Sequence, residues 1–155
     1  MRAYHDALKL LARRELSVEA LRARLLDRDH PREEVDAAIV QLLDSGGLDD
    51  NRVARAHART AAGVKGRGRL RVMRDLLAMG IAKDTAVAAI ADVFGELDER
   101  TLIARALQKK LRGRSRVPDR AEQARLYQYL MRQGFTPAGI TAALRKLGRA
   151  NADVE

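Results

Sequence analysis

Apolar positions in this chain recur at helical spacing. Val18, Leu21 and Leu25 fall at i, i+3 and i+7, and Val35, Ile39, Leu42 and Leu43 at i, i+4, i+7 and i+8. Each set lays a stripe along one face of a helix. No stretch alternates apolar and polar residues with the β-branched enrichment of a strand. The pattern predicts an all-α fold. The breaks agree with it. Pro31 and Pro137 follow candidate caps, His30 and Thr136, and suit the first helical position. Gly46-Gly47, Gly63, Gly80, Gly95, Gly134 and Gly148 each follow a helical run, where a left-handed terminating residue is favoured.

These stops repeat. When Leu25-Leu26, Leu76-Leu77 and Leu130-Met131 are aligned, Asp29-His30, Gly80-Ile81 and Gly134-Phe135 coincide as turns. Ile39, Ile90 and Leu144 then coincide in the following helix. Leu48-Asp49-Asp50 and Leu97-Asp98-Glu99 mark two equivalent helix starts, where an acid satisfies free N–H groups and the helix dipole. The expected architecture is three tandem three-helix repeats, 1–47, 48–96 and 97–150, with a frayed tail over 151–155. A unit that small cannot bury a core alone, so neighbours must stack.

Composition narrows the chemistry. The 155 residues include no cysteine, which excludes disulfides, thiol catalysis and thiolate-built zinc sites. Nothing requires an oxidising compartment, so a cytoplasmic protein is expected. The apolar runs are a few residues long, against the ~18 of a membrane span. Charged residues from Arg2 to Arg14 interrupt any signal-peptide core. Aromatics are 3% with no tryptophan, so the core must be aliphatic, and binding of single strands by base stacking lacks its platforms.

The net charge is +9, a balance that favours polyanions or acidic protein faces. It is uneven: residues 1–47 carry 8 basic and 9 acidic side chains, 48–96 carry 9 and 6, and 97–155 carry 13 and 6. Two clusters stand out. Lys65, Arg67, Arg69, Arg71 and Arg74 lie within 64–74 with no acid among them. Gly63, Gly66 and Gly68 make its first half a turn, whose amides are candidates for anion binding. In the second cluster, Arg105, Lys109, Lys110, Arg112, Arg114, Arg116 and Arg120 face only Asp119. Lys109 and Arg112 are expected to share a helical face with Arg105. A solvated surface explains any single run of this kind. Two runs in equivalent connections, beside a neutral first repeat, point instead to a binding surface.

No catalytic constellation is present. His5, His30 and His57 have no metal-ligand spacing, and a histidine beside a helix start is usually structural. Ser17, Ser45 and Ser115 lie in no nucleophile elbow, and Ser17 reads as an N-cap. The 63–68 segment lacks the Gly-Lys-Ser/Thr of a phosphate loop. No enzyme, metal or cofactor is expected.

Four segments carry a resemblance. The run Ala7-Leu8-Lys9-Leu10-Leu11-Ala12-Arg13-Arg14-Glu15-Leu16-Ser17, with Leu21 and Leu25, resembles the opening of the RecX family of recombination regulators. Gly47-Leu48-Asp49-Asp50-Asn51-Arg52-Val53-Ala54 resembles its next element. Lys65-Gly66-Arg67-Gly68-Arg69-Leu70-Arg71-Val72, with Asp75-Leu76 and Gly80-Ile81, resembles its third. Tyr129-Leu130-Met131-Arg132-Gln133-Gly134-Phe135 resembles its closing Leu-x-x-x-Gly-Phe element. Arg69 stands where the family typically has proline, and Val53 where it often has an aromatic.

The resemblance implies an elongated, curved helical array. It also implies a partner, the RecA recombinase and its filament on single-stranded DNA, bound in the filament groove. There such proteins limit filament growth, ATP hydrolysis, strand exchange and SOS repressor cleavage, without a cofactor or catalysis of their own. Matched by motif, the expected contacts are the Lys65–Arg71 turn and its following helix. The second cluster is added from charge and repeat equivalence. Reversing Arg67, Arg69 and Arg71 is expected to leave folding intact and weaken inhibition. A monomer with weak, salt-sensitive DNA binding is expected, and no membrane partner. The rival readings are a direct DNA-binding protein or transcriptional regulator on three-helix units, and a scaffold assembled through helical faces.

Overall fold

A computed structural model describes residues 2–95, 97–112 and 118–152. The described residues form nine α-helices and no strand: α1 Arg2–Arg13, α2 Val18–Asp27, α3 Arg32–Ser45, α4 Asp50–Gly63, α5 Arg69–Ala78, α6 Lys83–Phe94, α7 Glu99–Leu111, α8 Arg120–Gln133 and α9 Pro137–Ala152. Among them, no helix is long and apolar enough to cross a membrane.

The aligned turns recur bond for bond. Asp29, Gly80 and Gly134 all take positive φ, at 64°, 79° and 94°. The next amide, from His30, Ile81 or Phe135, reaches back to the carbonyl of Leu25, Leu76 or Leu130 at 3.3, 3.1 and 3.2 Å. The amides of Asp29, Gly80 and Gly134 bond the carbonyls of Leu26, Leu77 and Met131 at 3.0, 3.0 and 3.1 Å. This is the two-bond Schellman closure of a helix. Leu25, Leu76 and Leu130 are each fully buried, so one turn geometry and one anchor leucine repeat three times. Aspartate tolerates the left-handed conformation at position 29 because its short polar side chain can bond locally.

Starts recur too. Asp49 accepts the Asn51 amide at 3.0 Å and Asp98 the Arg100 amide at 3.1 Å. Ser17 and Asp119 cap α2 and α8 by accepting from the Ala20 and Glu122 amides at 3.1 and 2.8 Å. Three sequence expectations shift. Pro31 is itself the N-cap of α3 and not its first residue, because its ψ of 140° is extended. The helix does not stop at Gly148: α9 runs through it to Ala152, since one glycine costs a helix only about 1 kcal/mol. Residues 153–155 of the expected tail lie outside the described residues. Positive φ after α4 falls at Gly66 and not at Gly63, and Gly95 follows α6 without it.

The chain divides into two compact units, Met1–His57 with Asp75–Ala89, and Ala58–Arg74 with Ile90–Glu155. In the first, Ala7, Leu10, Leu16, Leu21, Leu25, Val35, Ile39, Leu42 and Leu48 form one buried cluster, built from stripes of α1, α2 and α3 with Leu16 and Leu48 from the connections. The buried Ser17 hydroxyl donates to the Met79 carbonyl at 2.6 Å, and Asp50 accepts the Val18 amide at 2.9 Å. Asp6 accepts from His30 at 2.9 Å and Arg28 at 2.5 Å. The hydrogen bond from His30 holds its carboxyl below the ordinary value of 3.8, with Arg28 adding to the effect. His57 pairs with Asp75 at 3.0 Å. His30 and His57 are thus held in carboxylate pairs. In the second unit α7, α8 and α9 pack together. Phe94, Ile103, Leu130, Phe135 and Ile140 are buried, and Glu99 receives the Thr136 amide and hydroxyl at 2.7 and 3.0 Å.

Candidate functional site

The basic turn between α4 and α5 lies in the second unit. It first closes on itself: Val64 and Lys65 amides bond the Thr60 carbonyl at 2.9 and 3.2 Å, and the Arg67 amide bonds Ala61 at 2.8 Å. It then docks on the end of α8. The Gly68 amide bonds the Gln133 carbonyl at 2.6 Å, and the Leu70 amide bonds Gly134 at 3.2 Å. Most amides that the sequence offered for anion binding are therefore consumed inside the chain. What the turn presents outward is side-chain charge.

Two motifs 68 residues apart meet here. The Gln133 amide group donates to the Lys65 carbonyl at 2.9 Å and to the Tyr129 hydroxyl at 3.2 Å, and its oxygen accepts from Arg71 at 3.2 Å. Gln133 is only 9% exposed, so three bonds on a buried amide matter: each unmade one would cost about 1–3 kcal/mol. The backbones approach closely. A Cβ on Gly68 would stand 2.6 Å from the Gly134 oxygen, and one on Gly134 would overlap the Arg71 backbone. Glycine at both positions permits the contact, and Gly134 also needs its φ of +94°.

The candidate cations divide by what they touch. Arg69 points inward: its guanidinium donates to the Phe94 and Leu97 carbonyls at 2.5 and 3.2 Å and lies 5.4 Å from the Phe94 ring centroid. It thereby ties the end of α6 to the segment before α7: the Phe94 carbonyl, which also accepts the Leu97 amide at 2.8 Å, and the Leu97 carbonyl beyond the helix. Arg71 donates to the Arg132 carbonyl at 3.0 Å as well as to Gln133. Arg67 is half-buried and engaged. Reversing Arg69 and Arg71 would thus strike the fold as well as any partner, contrary to the sequence expectation. Lys65, Arg74 and Arg105 are exposed and make no side-chain bond among the described residues.

The second cluster joins the first. The Lys109 ammonium donates to the Val64 carbonyl at 3.1 Å, and Lys110 lies 4.6 Å above the Tyr129 ring, a cation–π contact. The bond to Val64 thereby brings Lys109 beside Lys65, while Lys110 turns to the Tyr129 ring. Arg112 does not extend the α7 face: it ends the helix in the left-handed region at φ 48°. Arg114 and Arg116 lie outside the described residues. Val64 and Leu70, 68% and 52% exposed, flank the turn.

Gln133, Gly134 and Tyr129 were not legible as site residues. Their segment was visible as a motif, but no local pattern says that it receives a turn 68 positions earlier. Among the described residues, no group of three or more His, Asp or Glu side chains is placed to hold a metal ion.

Residues 3–42 match the family model "RecX, first three-helix domain", and residues 98–144 match "RecX, third three-helix domain". The chain is 31% identical to the regulatory protein RecX of Pelodictyon phaeoclathratiforme over 95% of this chain and 89% of that protein. It is 37% identical to that of Xanthomonas axonopodis pv. citri over 90% and 83%. Its fold resembles the crystal structure of RecX from Lactobacillus salivarius, with a TM-score of 0.76, 21% identity and 95% of each chain covered. The three-helix domains and these relationships lead to one conclusion: the chain belongs to the RecX family of regulatory proteins.

Proposed function

We propose that this chain regulates recombination in the cytoplasm by binding the RecA recombinase and its single-stranded DNA filament, restraining filament growth and the ATP hydrolysis, strand exchange and SOS repressor cleavage that depend on it. It acts by binding alone. The observation that carries the reading is the convergence of two basic clusters: Lys109 holds the Val64 carbonyl and Gln133 holds the Lys65 carbonyl, so cations distant in sequence work as one surface.

The exposed Val64 and Leu70 argue for a protein partner. Phosphate binding is served by charge and hydrogen-bond donors, whereas an apolar side chain beside them gains by covering matching surface on a protein. Lys65, Arg74 and Arg105 meet acidic protomer surface or nearby phosphate, and any phosphate contact makes binding salt-dependent. To shift a filament between states, the chain must contact one state more favourably than the other.

The test is RecA ATP hydrolysis on single-stranded DNA with the Lys65→Glu, Arg74→Glu, Arg105→Glu variant. These side chains hold no part of the fold, so the thermal melt should stay close to the parent. Inhibition should need at least tenfold more protein, the equivalent of about 1.4 kcal/mol. Full inhibition by the folded variant overturns this surface as the contact. If the parent does not bind RecA in a pull-down, with or without DNA and ATP, the partner itself is wrong.

A further inference from the structure

A second surface of the same unit is unused by that reading. Between α7 and α8 lies an open groove of about 1040 Å³. Leu111 and Leu126 line it as an aliphatic floor. Lys110, Arg125 and Arg132 stand around it as cations, with Glu122 on the wall. Arg125, Tyr129 and Arg132 share one face of α8 at i, i+4 and i+7, so the helix presents charge and ring together. Lys110 comes from α7 and lies against the Tyr129 ring, whose hydroxyl is held by Gln133.

We propose that this groove docks an acidic segment of a protein partner that carries an apolar anchor residue. The chemistry favours this occupant over nucleic acid. A single strand needs aromatic platforms. The groove offers one aromatic ring, and an ammonium already occupies a face of it. The leucine floor gains from burying a side chain that a sugar–phosphate chain lacks. Carboxylates on either side of one leucine match cations around an aliphatic floor, the arrangement of apolar centre and polar rim found in protein interfaces.

The probe is a short fluorescein-labelled peptide of glutamates flanking a pair of leucines, followed by anisotropy with the full chain. Saturable binding is expected, weakening with salt. The Arg125→Glu, Arg132→Glu variant should lose about tenfold in affinity. Both side chains are exposed and make no side-chain hydrogen bond among the described residues, so circular dichroism should confirm an unchanged fold. Replacing the leucines of the peptide by serine should also weaken binding, because the floor then has no partner. Lys65→Glu with Arg74→Glu should leave peptide binding unchanged, which separates this groove from the RecA surface. The proposal fails if the peptide does not bind, if it binds the Arg125, Arg132 variant as tightly, or if the serine peptide binds equally. Displacement of the peptide by oligothymidylate would make the groove a nucleic-acid face instead. None of these outcomes bears on RecA inhibition, which the ATPase assay measures separately.

Discussion

At the scale of single residues, arginines of one cluster have opposite duties. Arg69 and Arg71 bond backbone carbonyls of their own unit, whereas Lys65 and Arg74 face solvent. Arg69→Ala should destabilise the protein by about 1–3 kcal/mol, the usual range for leaving a part-buried acceptor unpaired, here the Leu97 carbonyl. Lys65→Ala should change stability by no more than about 0.5 kcal/mol. Urea unfolding of both variants tests the division, and equal effects would refute it. Arg69 is also the first residue of α5, where the proline expected from the resemblance would sit comfortably. The departure therefore costs no helix geometry and adds a guanidinium for the end of α6. Asp6 makes a separate prediction. Its carboxyl is lowered by the bond from His30 and by Arg28. Its contribution is complete above pH 3.8 and is lost as pH falls through the lower folded value. Asp6→Asn should flatten the dependence of stability on pH below 3.8, as read by denaturation across acid buffers. An unchanged acid limb would show that the pair does not matter for folding.

At the scale of elements, the turn before α5 is shaped by the end of α8. Gly68 and Leu70 amides terminate on Gln133 and Gly134 carbonyls, and the Gln133 side chain holds Lys65 in turn. Gln133→Ala should speed hydrogen exchange at Gly68 and Leu70 with no loss of helix by circular dichroism. Unaltered exchange there would mean that backbone bonds alone fix the turn. Gly68→Ala should be more severe, because its methyl would enter the space of the Gly134 carbonyl and Phe135 ring. A loss of about 1–3 kcal/mol is expected from such overpacking, measured by urea midpoint. The repeat is also an element-scale property. One closing turn serves helices ending at Leu25–Asp27, Leu76–Ala78 and Leu130–Gln133, with aspartate replacing glycine once. Turn geometry persists while the residue in it changes, because only φ and two carbonyl bonds are required.

At the scale of the whole molecule, charge is the organising quantity. The +9 net charge is carried mainly by the last two thirds of the chain, and the structure brings part of it to one surface. Binding to an acidic or nucleoprotein partner should therefore fall steeply between low and physiological ionic strength, where screening shortens to about 8–10 Å. Fluorescence titration against RecA filaments at two salt concentrations measures this. Salt-independent affinity would shift the weight from the cations to Val64 and Leu70.

The sequence by itself determined the helices, their caps and the threefold recurrence of the turns, since these depend on bonds and stripes within a few residues of one another. It also revealed where charge accumulates and which motifs resemble a known family. Only the tertiary structure decided what those charges touch. Whether a guanidinium faces solvent or a carbonyl 25 positions away depends on which segments the core brings together. No pattern of nearest neighbours contains that distance. The same reason hid Gln133: its three partners come from α8, from the turn and from α5, and they become neighbours only when the second unit folds.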